Sequence, residues 1–267
     1  MTALPELVDS TLTLGDGVAI LRFDRHDVRN ALTGTALAGE VVSVCGWANA
    51  TRDVATLILI GNGTAFSAGG NVFDIHERRG MFGGTPMEIQ ESYRSGIQRM
   101  ARAMHEVEVP VIAAVNGPAI GAGFDLSCMA DIRIAAESAK FGETFVNLGI
   151  IPGDGGAWFL PRVVGHQRAA ELTFSGRVFG AAEAREMNLV LEVVSQDQLL
   201  PRCETLARQF AARPRDALRL SKRLLRAGQR MGLPDFLDYC AGLQSLCHTT
   251  EEHRAAASAM VEVLRKN

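Results

Sequence analysis

The sequence predicts an α/β (α+β) fold in which strand–strand–helix turns recur along most of the chain and the last quarter is all helix. Three observations carry this. VATLILI (54–60) and VPVIAAV (109–115) are unbroken apolar runs of strand length, the pattern of strands covered on both faces. Each runs directly into a glycine-rich segment, GNGTAFSAGGNV (61–72) and NGPAIGAGFDL (116–126). From about residue 197 apolar residues recur at helical spacing, which argues successive helices rather than further sheet.

The elements follow in order. Residues 11–24 hold two β-rich runs around Asp16–Gly17 and read as a hairpin. A helical stretch spans 36–50, the two apolar strands follow, and 88–106 between them has helical composition. A further helix is expected at 122–130, with strands at 131–136 and 188–194. Arg215, Arg219, Arg223 and Arg226 lie among apolar helical positions, so this face is either solvated or contacts phosphate.

With 267 residues, 47% hydrophobic, the chain can bury a large core. Its formal charge of −3 gives no global basic field for nucleic acid or an anionic membrane. Five cysteines without a CxxC pattern read as reduced thiols, with no metal site. Residues 1–10 lack the basic-then-apolar order of a secretory signal, and no apolar run approaches membrane-spanning length. A cytoplasmic protein is expected.

Both glycine-rich segments lead from a strand end towards a helix. Such turns leave backbone N–H groups unpaired and let a ligand approach the main chain. These residues carry a resemblance. AFSAGGNV (65–72), AAVNGPAIGAGFDLSCMADIRIA (113–135), AKFGETFVNLGIIPGDGG (139–156) and Arg29–Asn30–Ala31–Leu32 resemble the crotonase superfamily, the enoyl-CoA hydratase/isomerase family.

The resemblance implies a crotonase-like ββα spiral. Residues 1–196 would form the spiral core with an acyl-CoA site, and 197–267 a helical oligomerisation region that builds a homotrimer or a dimer of trimers. It further implies an oxyanion hole made by the N–H groups of Gly70 and Ala122, with no cofactor beyond the coenzyme A of the substrate. Coenzyme A and substrate would be bound by Arg29, Ala31, Ala68, Gly69, Gly70, Asn71, Val72, Gly121, Ala122 and Phe145. Arg25 and His26 could add local positive charge or belong to an ordinary solvated loop.

The family's two catalytic glutamates are not both matched. Asp125 stands at the first position, one methylene shorter, and Phe145 at the second. Glu143 and Asp154 are the nearby acids. Asp154, in a glycine-rich turn, is the better candidate, either as a catalytic group or as a turn or helix cap. If Asp125 and Asp154 share a pocket, like charge should raise one pKa and leave an acid/base pair. Phe145 and Trp158 would be walls of the acyl pocket or core residues, and 76–90 a mobile segment over the acyl group. The leading expectation is a 2-enoyl-CoA hydratase. The alternatives are an enoyl-CoA or dienoyl-CoA isomerase, a C–C hydrolase, and an acyl-CoA binder without turnover.

Overall fold

The computed structural model describes residues 3–266. Strands β1 (Ser10–Gly15) and β2 (Val18–Phe23) form the expected hairpin, with Asp16 and Gly17 both at positive φ in the turn. Strands β3 (Thr56–Gly61), β4 (Val111–Val115), β6 (Ile132–Ala136) and β9 (Glu192–Val194) extend the sheet in the order β1-β2-β3-β4-β6-β9. After the antiparallel hairpin every pairing is parallel. A second sheet, β5-β7-β8, is built from Ala119–Ile120, Lys140–Gly142 and Val178–Gly180.

The apolar runs are explained by burial on both faces. Leu57 and Leu59 of β3, with Val111, Ala113 and Val115 of β4, point into the larger core. Ile58, Ile60, Ile112 and Ala114 point to the opposite face. Helices α1 (Leu37–Ala50) and α4 (Ile97–Glu106) bring residues such as Leu37, Val44, Met100 and Met104 onto the first face. On the second face α9 (Leu199–Ala211) lays down Leu199, Cys203, Leu206 and Ala207. The helical last quarter therefore begins as a layer of the core.

The remaining helices are α2 (Val72–His76), α3 (Pro86–Ser95), α5 (Ala122–Met129), α6 (Gly156–Val164), α7 (His166–Ser175), α8 (Ala181–Glu186), α10 (Arg215–Ala227), α11 (Leu233–Thr249) and α12 (Glu251–Lys266). Two boundaries depart from expectation. The helical stretch 88–106 is two helices, α3 and α4, broken at Gly96, whose φ −101° and ψ −112° are not helical. The strand expected at 188–194 is confined to Glu192–Val194, because Asn188 takes a left-handed φ of 58° at the end of the preceding turn.

The arginines of α10 make contacts within the protein. Arg219 donates to the carbonyls of Ala48 (2.8 Å), Asn49 (3.0 Å) and Thr51 (3.0 Å) at the end of α1. Arg223 pairs with Glu108, Arg226 donates to the Val107 carbonyl, and Arg215 donates to Ala211. These cations neutralise carbonyls that helix ends leave unpaired. Among the described residues no helix is long and apolar enough to cross a membrane.

Candidate active site

Because β3 and β4 are parallel neighbours, their glycine-rich loops leave the same end of the sheet. Asn116, the first residue after β4, staples them together. Its Oδ1 accepts from the Gly61 N–H at 3.0 Å, and its Nδ2 donates to the carbonyls of Gly63 (3.1 Å) and Ala65 (3.3 Å). From the other side Asn30, fully buried, donates to Ala65 at 2.9 Å. The Ile120 N–H donates to Ser67 at 3.0 Å, and the Gly121 N–H to the Gly142 carbonyl at 2.9 Å.

The approach leaves no room for side chains. A Cβ on Gly69, whose φ is +76°, would lie 2.4 Å from the Ile120 carbonyl oxygen and 2.8 Å from the Ala122 nitrogen. One on Gly123 would lie 2.2 Å from the Ser67 carbonyl oxygen. Next to this contact, the N–H groups of Gly70 and Ala122 have no acceptor among the described residues. Ala122 opens α5, so its donor is one that no helical carbonyl can reach, at the positive end of the helix dipole.

Gly70 and Ala122 line one cavity of about 80 Å³, together with Ala68, Val72, Gly121, Phe145 and Asp154 of the expected set. Arg29, Ala31, Gly69 and Asn71 lie outside it; Ala31 and Gly69 form an isolated parallel bridge, beside which the Leu32 N–H donates to the Gly69 carbonyl at 2.7 Å. Arg29 is exposed, whereas Arg25 is held by Asp9 and Asp27. Trp158 does not line this cavity. It is 41% exposed, packs edge-on against His105 and Phe159, and carries the Arg162 guanidinium over its ring at 3.8 Å.

Three cavity features come from outside the glycine motifs. Thr33 places its Oγ1 to accept from the Asn71 N–H at 2.8 Å. Tyr93 enters from α3, and Ile75, Met81 and Phe82 of the 76–90 region and its approach cover the apolar side. Nothing in the local sequence marked Tyr93, because its place depends on how α3 crosses the loops.

The acids form a cluster rather than a pair. Asp125 and Glu143 are fully buried and Asp154 is 3% exposed. Among the described residues no side chain outside the cluster donates to their six carboxyl oxygens, and the only outside donors that approach are the backbone N–H groups of Asp154 and Gly156, beside Asp154. The N-caps of α5 and α6 are Gly121 and Gly155, which carry no side chain, and the N–H of Gly156 at the start of α6 approaches the Asp154 carboxyl. Gly156 makes room for Asp125, since a Cβ there would lie 2.2 Å from Asp125 Oδ1.

Burial holds Asp125 well above the usual carboxylate range, reinforced by the charges of Asp154 and Glu143. Burial likewise pushes Glu143 up to about 7 and raises Asp154, against the opposing pull of a hydrogen bond from Asp125 in each case. Only Asp154 of the three reaches the cavity wall. Asp125 sits behind it, and Glu143 rather than Phe145 is the third acid. Phe145 is part of the apolar wall.

The family model for enoyl-CoA hydratase/isomerase matches residues 13–267. A crotonyl-CoA hydratase of Syntrophomonas wolfei is 34% identical over 251 residues, covering 94% of each chain. A 1,2-epoxyphenylacetyl-CoA isomerase of Escherichia coli is 35% identical over 206 residues, 77% of each chain. The crystal structure of an enoyl-CoA hydratase from Bacillus anthracis superposes with a TM-score of 0.88 at 31% identity, over 96% of each chain.

Two measurements check this geometry. Gly69→Ala should cost on the order of 3 kcal/mol in urea unfolding, because a side chain at that φ meets the Ile120 carbonyl. The second concerns pH. Glu143 binds its proton more tightly folded than unfolded, so its contribution to stability is complete below pH 4.5 and is lost as pH rises through about 7. That contribution is on the order of 3 kcal/mol, and Glu143→Gln should lack it when unfolding is compared at pH 5 and pH 8.

Proposed function

The chain belongs to the enoyl-CoA hydratase/isomerase family, and we propose that it is an acyl-CoA thioester-processing enzyme that reversibly hydrates a 2-enoyl-CoA. The observation that carries this is the convergence on one cavity of two unpartnered backbone donors, Gly70 and Ala122, and one carboxyl, Asp154. The thioester oxygen sits between the two amides. As water adds to the β-carbon, negative charge gathers on that oxygen, and preorganised donors stabilise it by about 3 kcal/mol each. Asp154 takes a proton from the water and delivers one to the α-carbon, with Asp125 behind it sharing the proton.

In this reading coenzyme A enters as part of the substrate and no further cofactor takes part. Its pantetheine and diphosphate run along Arg29 and Ala31, where the exposed Arg29 guanidinium can pair with phosphate. The backbone of 68–72 receives the adenine. The site lies in the core, and the exposed apolar side chains of the helical tail, among them Leu233, Leu237, Leu246 and Leu264, make it the oligomerisation region of a homotrimer or dimer of trimers. Five free cysteines fit a reducing, cytoplasmic setting.

Phe145 at a glutamate position, and the single acidic side chain on the cavity wall among the described residues, favour a second reading. Enoyl-CoA or dienoyl-CoA isomerisation needs only one carboxyl that removes a proton from one carbon and returns it to another.

Incubation with crotonyl-CoA should remove the conjugated-thioester absorbance and add the mass of one water. No change there, with conversion of a 3-enoyl-CoA to its 2-enoyl isomer, would install the second reading instead. In either case Asp154→Asn should lower kcat by about 10²–10⁴-fold and leave KM nearly unchanged. Light scattering should return three or six times the protomer mass; a monomer would remove the oligomerisation role of the tail.

A further inference from the structure

The carboxyl cluster holds more potential negative charge than its surroundings can offset. The titratable groups facing it are Tyr93 of α3, towards Asp154, and Cys128 of α5, towards Glu143. Neither is cationic. Among the described residues no set of three or more His, Cys, Asp or Glu side chains, this one included, is arranged to hold a metal ion. Compensation therefore falls to protons, which the buried carboxyls share among themselves.

The arrangement is directional. Asp154 lines the cavity, and Asp125 lies behind it against the backbone of Gly156. Asp125 is within hydrogen-bonding reach of both other carboxyls. Glu143 is the other partner of Asp125 and does not itself line the cavity; it directly follows Gly142, whose carbonyl holds the Gly121 amide beside the oxyanion donors.

We propose that Glu143 is a positioning residue for the proton carried by Asp154, acting through Asp125, so that the three carboxyls form one buried proton chain open only at the cavity. The proposal rests on Asp154 as the acid–base group. With Glu143 ionised at the start, the proton that Asp154 takes, from water in hydration or from carbon in isomerisation, sends the Asp154 proton to Asp125 and the Asp125 proton to Glu143. When the Asp154 O–H then breaks and the proton bonds to the enolate carbon, Asp125 passes its proton to Asp154 and Glu143 passes its own to Asp125. The negative charge returns to Glu143, which does not line the cavity. Each link breaks one O–H bond and forms another, so the cluster returns to its starting charge after each turnover. Moving the charge inward keeps it away from the enolate oxygen, which like charge would destabilise.

Infrared difference spectra of the substrate-free enzyme, titrated in H2O and D2O, read the C=O stretch of protonated carboxyls without any turnover. The native protein should keep buried protonated carboxyls above pH 5 and lose one of them with a midpoint near 7. Glu143→Gln should lack that step. With whichever enoyl-CoA is turned over, Glu143→Gln should lower kcat about 10-fold at pH 6, leave KM within about 2-fold and lose the inflection near neutral pH. A purely structural Glu143 would change stability but not the inflection.

An unchanged titration in Glu143→Gln, or no protonated carboxyl above pH 5 in the native protein, would overturn the proposal. The native spectrum alone decides the second of these, even if the variant does not fold. Absence of turnover with every enoyl-CoA would overturn the acid–base reading on which the proposal depends, and the infrared result would still report separately on the chain.

Discussion

The site depends on one steric fact: two backbones approach each other more closely than any side chain allows. Gly69 and Gly123 face Ile120 and Ser67 across gaps that a Cβ would reduce to 2.4 Å and 2.2 Å. The approach is held by paired strands below, where β3 and β4 run parallel, and by the side chains of Asn30 and Asn116, which replace hydrogen bonds that the turning backbone gives up. Because the loops are pinned, the N–H groups of Gly70 and Ala122 are fixed in direction before any ligand arrives. Preorganisation of that kind makes amide donors effective towards a developing anion, since no free energy is then used to turn them.

The carboxyl cluster uses the same rigidity for a different purpose. Burying three acids without a cation is unfavourable, and the fold tolerates it because the acids can hold protons in common. Asp125 depends on the absence of a side chain at Gly156, and Asp154 on a turn in which Gly155 takes a φ of 118°. A cluster of this design trades stability at alkaline pH for a carboxyl that can give and take a proton near neutrality. In the proposed reaction the amides would stabilise charge on oxygen while the cluster, which reaches the same cavity through Asp154, would handle the accompanying protons.

Several arginines show how charge serves the fold. Arg133 is buried and donates to the carbonyls of Leu189, Ser127 and Ala130, which ties the end of α5 to the chain before β9. Arg219 does the same for the end of α1. Such residues look like phosphate ligands in a sequence because the same guanidinium geometry suits phosphates and carbonyl clusters alike.

The doubly covered strands, the hairpin at Asp16–Gly17 and the two glycine-rich loops were all legible in the order of residues. Each follows a local rule: unbroken apolar runs for buried strands, positive φ for turns, missing side chains for close approach. The resemblance to the crotonase superfamily also pointed to Gly70 and Ala122, and the glycine-rich turn to Asp154; the three line one cavity. Which acids meet is a matter of packing across the fold. Glu143 and Phe145 flank Thr144 at the start of a short 3₁₀ turn after β7, and no periodicity there says which of the two faces the interior. Packing against α5 turned Glu143 inward and Phe145 to the cavity, sent Trp158 to the surface beside Arg162, and brought Tyr93 in from α3. Side-chain direction in short irregular segments is set by the elements they pack against, and those elements lie far away in the chain.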